Sequence, residues 1–393
     1  MMSENTSSQK AYTVHIVGCG IGGLTTAIAL KQIGCDVKVF EAAPVLKPVG
    51  AGILMAPNAM KVFGRLGFAE TVKERGHVLT RGLRVTNAQR RTIQQMGGPE
   101  ERAIAGETSV AIHRGILQQV LLEVLGEEHV LTGKPCKHVE QDGERVTLHC
   151  EDGSTYTSDL LLGADGIHSA VRRSLFSEVP LRYGGETCWR GVAEFAAGEE
   201  WGGEGVEMWG GGVRLGLFPI NDTQCYWFST ETAASGGADV DAASAKRMLV
   251  ERFKDFGGPA AAILEATPEE SIIRRDLFDF VPIDKWYKGH IALVGDAAHA
   301  TTPNMGQGGC QAVEDAWALQ LCVQREATLS QALEAYEQMR RPKAMMVVNN
   351  SYSFGKVAQL RNPLLCWLRN IFLRMTPKSV YLKQIKTLYS LPS

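Results

Sequence analysis

Residues 14–41, VHIVGCGIGGLTTAIALKQIGCDVKVFE, constrain this chain more than any other stretch. A β-branched run at 14–17 meets three spaced glycines and an apolar segment of helical period. A second β-rich run, 37–40, then closes on Glu41. Gly18, Gly20 and Gly23 fit G-x-G-x-x-G, with the acid about 20 residues further on. Gly18 permits a tight turn, Gly20 lets a pyrophosphate approach backbone, and Gly23 lets helix and strand pack closely. Free N–H groups at the helix N-terminus receive the phosphates, and Glu41 accepts hydrogen bonds from a ribose diol. Taken alone, the stretch suits NAD as well as FAD.

At 393 residues the chain has room for about two domains. A net charge of −2 gives no footing for nucleic acid. The nine cysteines show no C-x-x-C or zinc spacing, so neither a disulfide framework nor a metal site is expected. The first residues, MMSENTSSQKAY, lack an apolar signal core, and no long uncharged apolar run follows. A cytoplasmic protein is expected.

The expected fold class is α/β, a Rossmann-type nucleotide domain carrying an inserted antiparallel-sheet domain and a C-terminal helical segment. The nucleotide domain takes residues 12–78, with a Gly-rich loop from Pro48 to Ile53 and a helix led by Pro57. Strands at 79–105 lead away from it, and it resumes at 106–181, where an apolar strand ends in Asp165-Gly166. Alternating segments at 182–285 read as the second domain, which would supply the substrate pocket. The nucleotide domain returns at 286–355, and basic amphipathic helices occupy 356–393.

The second informative stretch is ALVGDAAHATTPNMGQGGCQAVED, residues 292–315. An apolar strand ends in Gly295-Asp296, so a carboxylate sits at a strand's C-terminal edge. Gly306, Gln307, Gly308 and Gly309 then open another helix. A simple NAD dehydrogenase needs no second positive helix end, whereas a reduced flavin ring carries negative charge that one can stabilise.

Together, G-C-G-I-G-G, Glu41, Arg114, Asp165-Gly166 and Gly295-Asp296 resemble the single-component FAD-dependent monooxygenases, the group of salicylate and urate hydroxylases and zeaxanthin epoxidase. The resemblance covers about residues 12–350. It implies FAD in an extended pose: Gly22 and its neighbours on the pyrophosphate, Glu41 and Ala42 on the adenosine ribose, and Arg114 and Val130 on the adenosine side. Asp296 would serve the ribityl–pyrophosphate region, with Pro303 and the run from Gly306 to Cys310 facing the isoalloxazine. Asp165 matches a motif tied to both FAD and NAD(P)H. The implied activity uses transient NAD(P)H and dioxygen, through a flavin C4a-hydroperoxide, to hydroxylate or epoxidise a small aromatic or lipophilic substrate. A related dehydrogenase or reductase, or a flavin-binding sensor, are the alternatives; the W-x-W-x-I-P signature of halogenases is absent.

Arg214, Tyr226 and Asn304 are the pocket candidates. Resemblance puts Arg214 and Tyr226 where urate hydroxylases contact substrate, and Asn304 where they carry a catalytic aspartate. An amide is no general base, and Leu54 stands where salicylate-type enzymes place a histidine. Such a pocket suits a substrate needing no deprotonation. Arg214 reads equally as a salt-bridge partner, Tyr226 as core, and His299 as a structural hydrogen-bonder. After Glu337 there is no Asp or Glu, while Leu364, Leu365, Leu368, Ile371, Phe372 and Met375 share a helical face. That helix either packs on its own domain or lies on a membrane.

Overall fold

The computed structural model describes residues 11–47, 50–176, 178–196, 198, 201, 203–237 and 241–393. Pro48 and Val49 of the expected Gly-rich loop, and residues 1–10, lie outside that range. The opening stretch forms β1 (Thr13–Val17), α1 (Ile21–Gln32) and β2 (Asp36–Phe40). Val14, Ile16, Val37 and Val39 are fully buried, each worth roughly 1.5–3 kcal/mol relative to exposure. Gly18 holds φ +107°, and a Cβ there would lie 2.4 Å from the Ala164 carbonyl oxygen. At Gly23 it would lie 2.0 Å from the Gly18 oxygen, so the strand–helix crossing requires both glycines.

Helix α2 (Pro57–Arg65) follows, with proline in its first turn. Strands β3 (Gly82–Asn87) and β4 (Thr92–Met96) precede α3 (Pro99–Ala105) and α4 (Arg114–Leu125). After β5 (Val130–Leu131) a small hairpin sheet leads to β6 (Leu160–Gly163) and α5 (Ala170–Leu175). The second sheet is built mainly from β7 (Leu181–Glu194), β8 (Glu204–Trp209), β9 (Val213–Pro219), β10 (Gln224–Thr232) and β11 (Ile273–Phe280). The short β12 (Tyr287–Lys288) and β13 (Ile291–Leu293) return to the first sheet. Helices α6 (Gly308–Arg325), α7 (Leu329–Ala358), α8 (Pro363–Met375) and α9 (Lys378–Tyr389) complete the chain.

The first sheet has the order β12-β13-β6-β1-β2-β5, parallel except at β12–β13. The second runs β11-β7-β10-β9-β8-β3-β4. It is antiparallel except between β3 and β8, because the chain leaves and re-enters it through the nucleotide domain. Residues 82–96 therefore belong to this sheet. Helix α7 runs to Ala358, with Pro342 within it.

Candidate active site

Strands β1, β2, β6 and β13 end level with one another: Val17 lies beside Phe40 and Gly163, and Gly163 beside Leu293. Gly18, Glu41, Ala164 and Gly295-Asp296 therefore leave the sheet at one edge, where ligands of open α/β sheets gather. A cleft begins against Gly20, Glu41, Arg114 and Gln118. It shares Gly20, Ile21 and Arg114 with a cavity of about 1640 Å³ that continues past Gly22 and Asp296 to residues 303–309.

The fixed groups along this trough suit an extended dinucleotide. A Cβ on Gly20 would meet nothing within 4 Å, so backbone there borders open space at the start of α1, whose first turn has no acid. Glu41 accepts from the Cys19 N–H at 3.0 Å and the Ala43 N–H at 2.8 Å, which aims its carboxylate at the cleft. Ala42 is exposed between them. Val130 pairs with Val39 in the sheet and does not line the trough; its neighbour Leu131 accepts the Glu41 N–H. The Asp165 carboxylate turns away, accepting from the Ser169 hydroxyl (2.5 Å) and the Ala170 N–H (2.7 Å) to cap α5, and its neighbours Ala164, Gly166, Ile167 and His168 line the trough.

At the far end Asp296 opens on the cavity but is ringed by protein. Burial raises its carboxyl above the ordinary value, against the pull of His299 and Arg114. Pro303, Gly306, Gly308 and Gly309 line the cavity where α6 begins. The Gln307 amide oxygen instead accepts from Asn58 and Gln311, each at 3.0 Å. Cys310 lies buried beneath, accepting from the Ala56 N–H, and burial pushes its thiol up to about 12. Behind the loop stands a polar network the sequence does not announce. Arg340 donates to Asp315 at 2.7 Å and Glu314 at 2.6 Å, and Asp315 accepts from the Gly295 N–H (2.9 Å). His299 lies 2.6 Å from Asp315, a structural partner rather than a base.

Across the cavity, Arg214 is buried and divided between Glu207 (Nε–Oε1 2.7 Å) and the Asn304 amide oxygen (2.6 Å). The salt bridge and the position beside the cavity thus coexist. Tyr226 stacks with Phe218 (centroids 6.1 Å) and lines the cavity with Phe228; burial raises its phenol, so it stays neutral. Arg190 also lines the cavity, whereas Trp189 joins the core of the second sheet. Among the described residues a His138–Glu140–His149 group has donor atoms within 4.8 Å of one another, on the hairpin away from the trough.

Glu186 is the unexpected member. It is 3 % exposed, neither oxygen receives a protein hydrogen bond, and it lies close behind the Asn304 amide. Gly355 makes room: a Cβ there would sit 2.3 Å from Asn304 Nδ2 and 2.9 Å from Glu186 Oε1. Burial raises the Glu186 carboxyl, against the charge of Arg214 and the Asn304 amide. The unfolded chain therefore loses this proton first, near the ordinary value of 4.5. Stability falls as pH rises from there to the raised folded value. Glu186→Gln should remove that decline. Melting temperatures of variant and parent should diverge as pH rises above the ordinary carboxyl value, the variant being higher at the alkaline end; parallel curves would show that Glu186 does not titrate this way.

A family model described as an FAD binding domain matches residues 11–351, and the chain belongs to that family of FAD-dependent monooxygenases. It is 42% identical over 369 residues to the aurachin C monooxygenase/isomerase of Stigmatella aurantiaca, covering 92% of this chain and 94% of that one. It is 32% identical over 373 residues to the 2-heptyl-3-hydroxy-4(1H)-quinolone synthase of Pseudomonas aeruginosa, with 93% and 95% covered. The solved structure of Klebsiella pneumoniae HpxO with FAD and uric acid superposes with a TM-score of 0.89 at 28% identity, covering 98% of each chain. This chain is an oxidoreductase, an FAD-dependent monooxygenase that hydroxylates or epoxidises an aromatic or lipophilic substrate. None of these three relatives is named as a dehydrogenase or a sensor.

Proposed function

We propose that the substrate is a fused-ring 4-quinolone carrying an apolar tail, hydroxylated on its electron-rich ring. The carrying observation is the lining of the cavity. With the loop at 303–309 it includes the rings of Phe218, Tyr226 and Phe228, and it also takes in the apolar side chains of Leu83, Met96, Ala105, Ile385 and Leu388. The aromatic side chains suit a flat ring, and the apolar ones suit a hydrocarbon chain. One relative supports the choice by name, the 2-heptyl-3-hydroxy-4(1H)-quinolone synthase.

FAD, when bound, supplies the activated oxygen; the protein supplies orientation, charge and dryness. In our reading Gly20 and Gly22 meet the pyrophosphate, Glu41 the ribose, Asp296 the ribityl region, and the N–H groups at Gly308 and Gly309 the flavin ring. Asp165 acts by fixing the Gly166 turn, and Cys310 and Gln307 by anchoring the loop from below. Asn304 and Arg214 hold a ring carbonyl: the guanidinium is aimed by Glu207, and the amide needs no proton exchange. A 4-quinolone already pushes its ring-nitrogen electrons toward carbon 3, so an amide at position 304, which is no general base, is sufficient. All nine cysteines are free thiols, which suits the reducing, NAD(P)H-bearing cytoplasm.

The test is coupled turnover of 2-heptyl-4(1H)-quinolone, shorter 2-alkyl analogues and urate. At about 0.8 kcal/mol per buried methylene, removing two should lower kcat/KM roughly tenfold. Urate should consume NAD(P)H with little product. Equal coupling with urate, or indifference to the tail, would overturn the substrate reading while leaving the monooxygenase intact.

A further inference from the structure

Helix α8 is amphipathic, but it is mounted the opposite way round from an ordinary surface helix. Its inward side carries Arg369, whose guanidinium donates to the Ala358 carbonyl at 2.8 Å and stacks 4.7 Å from the Trp209 ring. Leu373 packs beside it on the cluster of Val85, Ile93 and Trp209. The outward side carries the apolar stripe: Leu364 is 62 % exposed, Trp367 58 %, Phe372 74 % and Met375 75 %, with Leu368 between them. The orientation is well fixed, since the Asn362 side chain caps the helix through the Leu364 and Leu365 N–H groups. So wide an apolar surface in contact with water is a mark of a binding face.

Charge identifies what covers it. No Asp or Glu follows Glu337, and the exposed ionised groups around α8 and α9 are Arg361, Arg374, Lys378, Lys383 and Lys386. Lys378 is partly neutralised by Glu100 of α3 at 2.8 Å; none of the other four has an ion-pair partner among the described residues. A second copy of the chain would bring the same positive rim against itself. An anionic bilayer meets both features, with apolar side chains entering the headgroup–acyl boundary, a tryptophan at the interface, and lysine and arginine on the phosphates.

We infer that the outward face of α8, with the basic rim it shares with α9, docks on an anionic membrane surface. No helix among the described residues is long and apolar enough to cross a membrane, so the contact is peripheral. The inward side of the same pair reaches the cavity: Leu373, Tyr381 and Ile385 are among its lining, and the outward Phe372 borders it too. Docking there sets the cavity's α9 end next to lipid. Exposure and charge create this docking face, whichever substrate the enzyme takes.

The FAD-loaded protein should co-sediment with vesicles of phosphatidylcholine and phosphatidylglycerol, much less with phosphatidylcholine alone, and be released by salt. Leu364→Ser/Trp367→Ser/Leu368→Ser, three residues that do not line the cavity, should lower partitioning at least about tenfold. Flavin content and circular dichroism should be unchanged. Arg374→Glu/Lys386→Glu should weaken binding to the anionic vesicles only. Protein that stays in solution with every vesicle overturns the inference. So does sedimentation velocity showing a dimer that the triple variant converts to monomer, because a second copy would then be the occupant.

Discussion

Asp315→Asn is expected to destabilise the protein by about 3–5 kcal/mol, the usual cost of removing one partner from a buried ionic network. Asp315 is fully buried and gathers three elements at one carboxylate: Arg340 of α7, His299, and the Gly295 N–H at the end of β13. An amide can satisfy one of these well; it leaves the guanidinium charge to Glu314 alone. Burial would raise the Asp315 carboxyl, but the His299 and Arg340 charges prevail and hold it below its ordinary value. Its contribution is therefore complete above the unfolded-state pKa and disappears as pH falls through the lowered folded one. Urea unfolding at neutral pH should show the full loss, and the gap between parent and variant should narrow under acid. A variant within about 0.5 kcal/mol of the parent, the range of ordinary surface changes, would mean that the network does not hold the flavin loop.

Gly18→Ala should be nearly as severe, and comparison with Gly20→Ala separates folding from cofactor binding. At Gly18 the backbone is at φ +107° and the new methyl would meet a carbonyl oxygen at 2.4 Å. The strain alone is worth about 1–3 kcal/mol, and the β1–β6 edge would have to shift besides. Gly20 has normal backbone and open space, so its alanine variant should fold and melt close to the parent. It should nevertheless lose FAD affinity by roughly tenfold or more, because the methyl occupies the space meant for pyrophosphate. Flavin absorbance after dialysis and the melting temperature of the apoprotein distinguish the two. Equal losses of both quantities in the two variants would contradict this assignment of tasks.

The nucleotide half of the molecule was legible because its constraints are local. A turn that only glycine can make, and a carboxylate placed a fixed distance beyond it, leave marks in consecutive residues. The second sheet was legible as alternating strands, but its parallel β3–β8 pairing was not, since partners more than a hundred residues apart carry no shared signal. The same limit hid Glu186 and Gly355, which meet Asn304 from different elements. Glu207 escaped notice for another reason: it lies only seven residues before Arg214, but alternation alone does not say which acid a paired strand brings against a residue the sequence could only nominate. Periodicity identified both faces of α8. It could not say which one turns inward, because that depends on Trp209 and the carbonyl groups at the end of α7 accommodating Arg369.

In the proposed reading one trough serves two purposes, holding a dinucleotide along the strand ends and an apolar ring with its tail in the part of the cavity lined by residues 303–309. Turnover of 2-heptyl-4(1H)-quinolone by the FAD-loaded protein with NAD(P)H under isotopically heavy dioxygen tests that most directly. The expected result is a hydroxylated quinolone in which each molecule carries one heavy oxygen atom. NAD(P)H consumed with all the heavy oxygen recovered as hydrogen peroxide, and the quinolone unchanged, would contradict it.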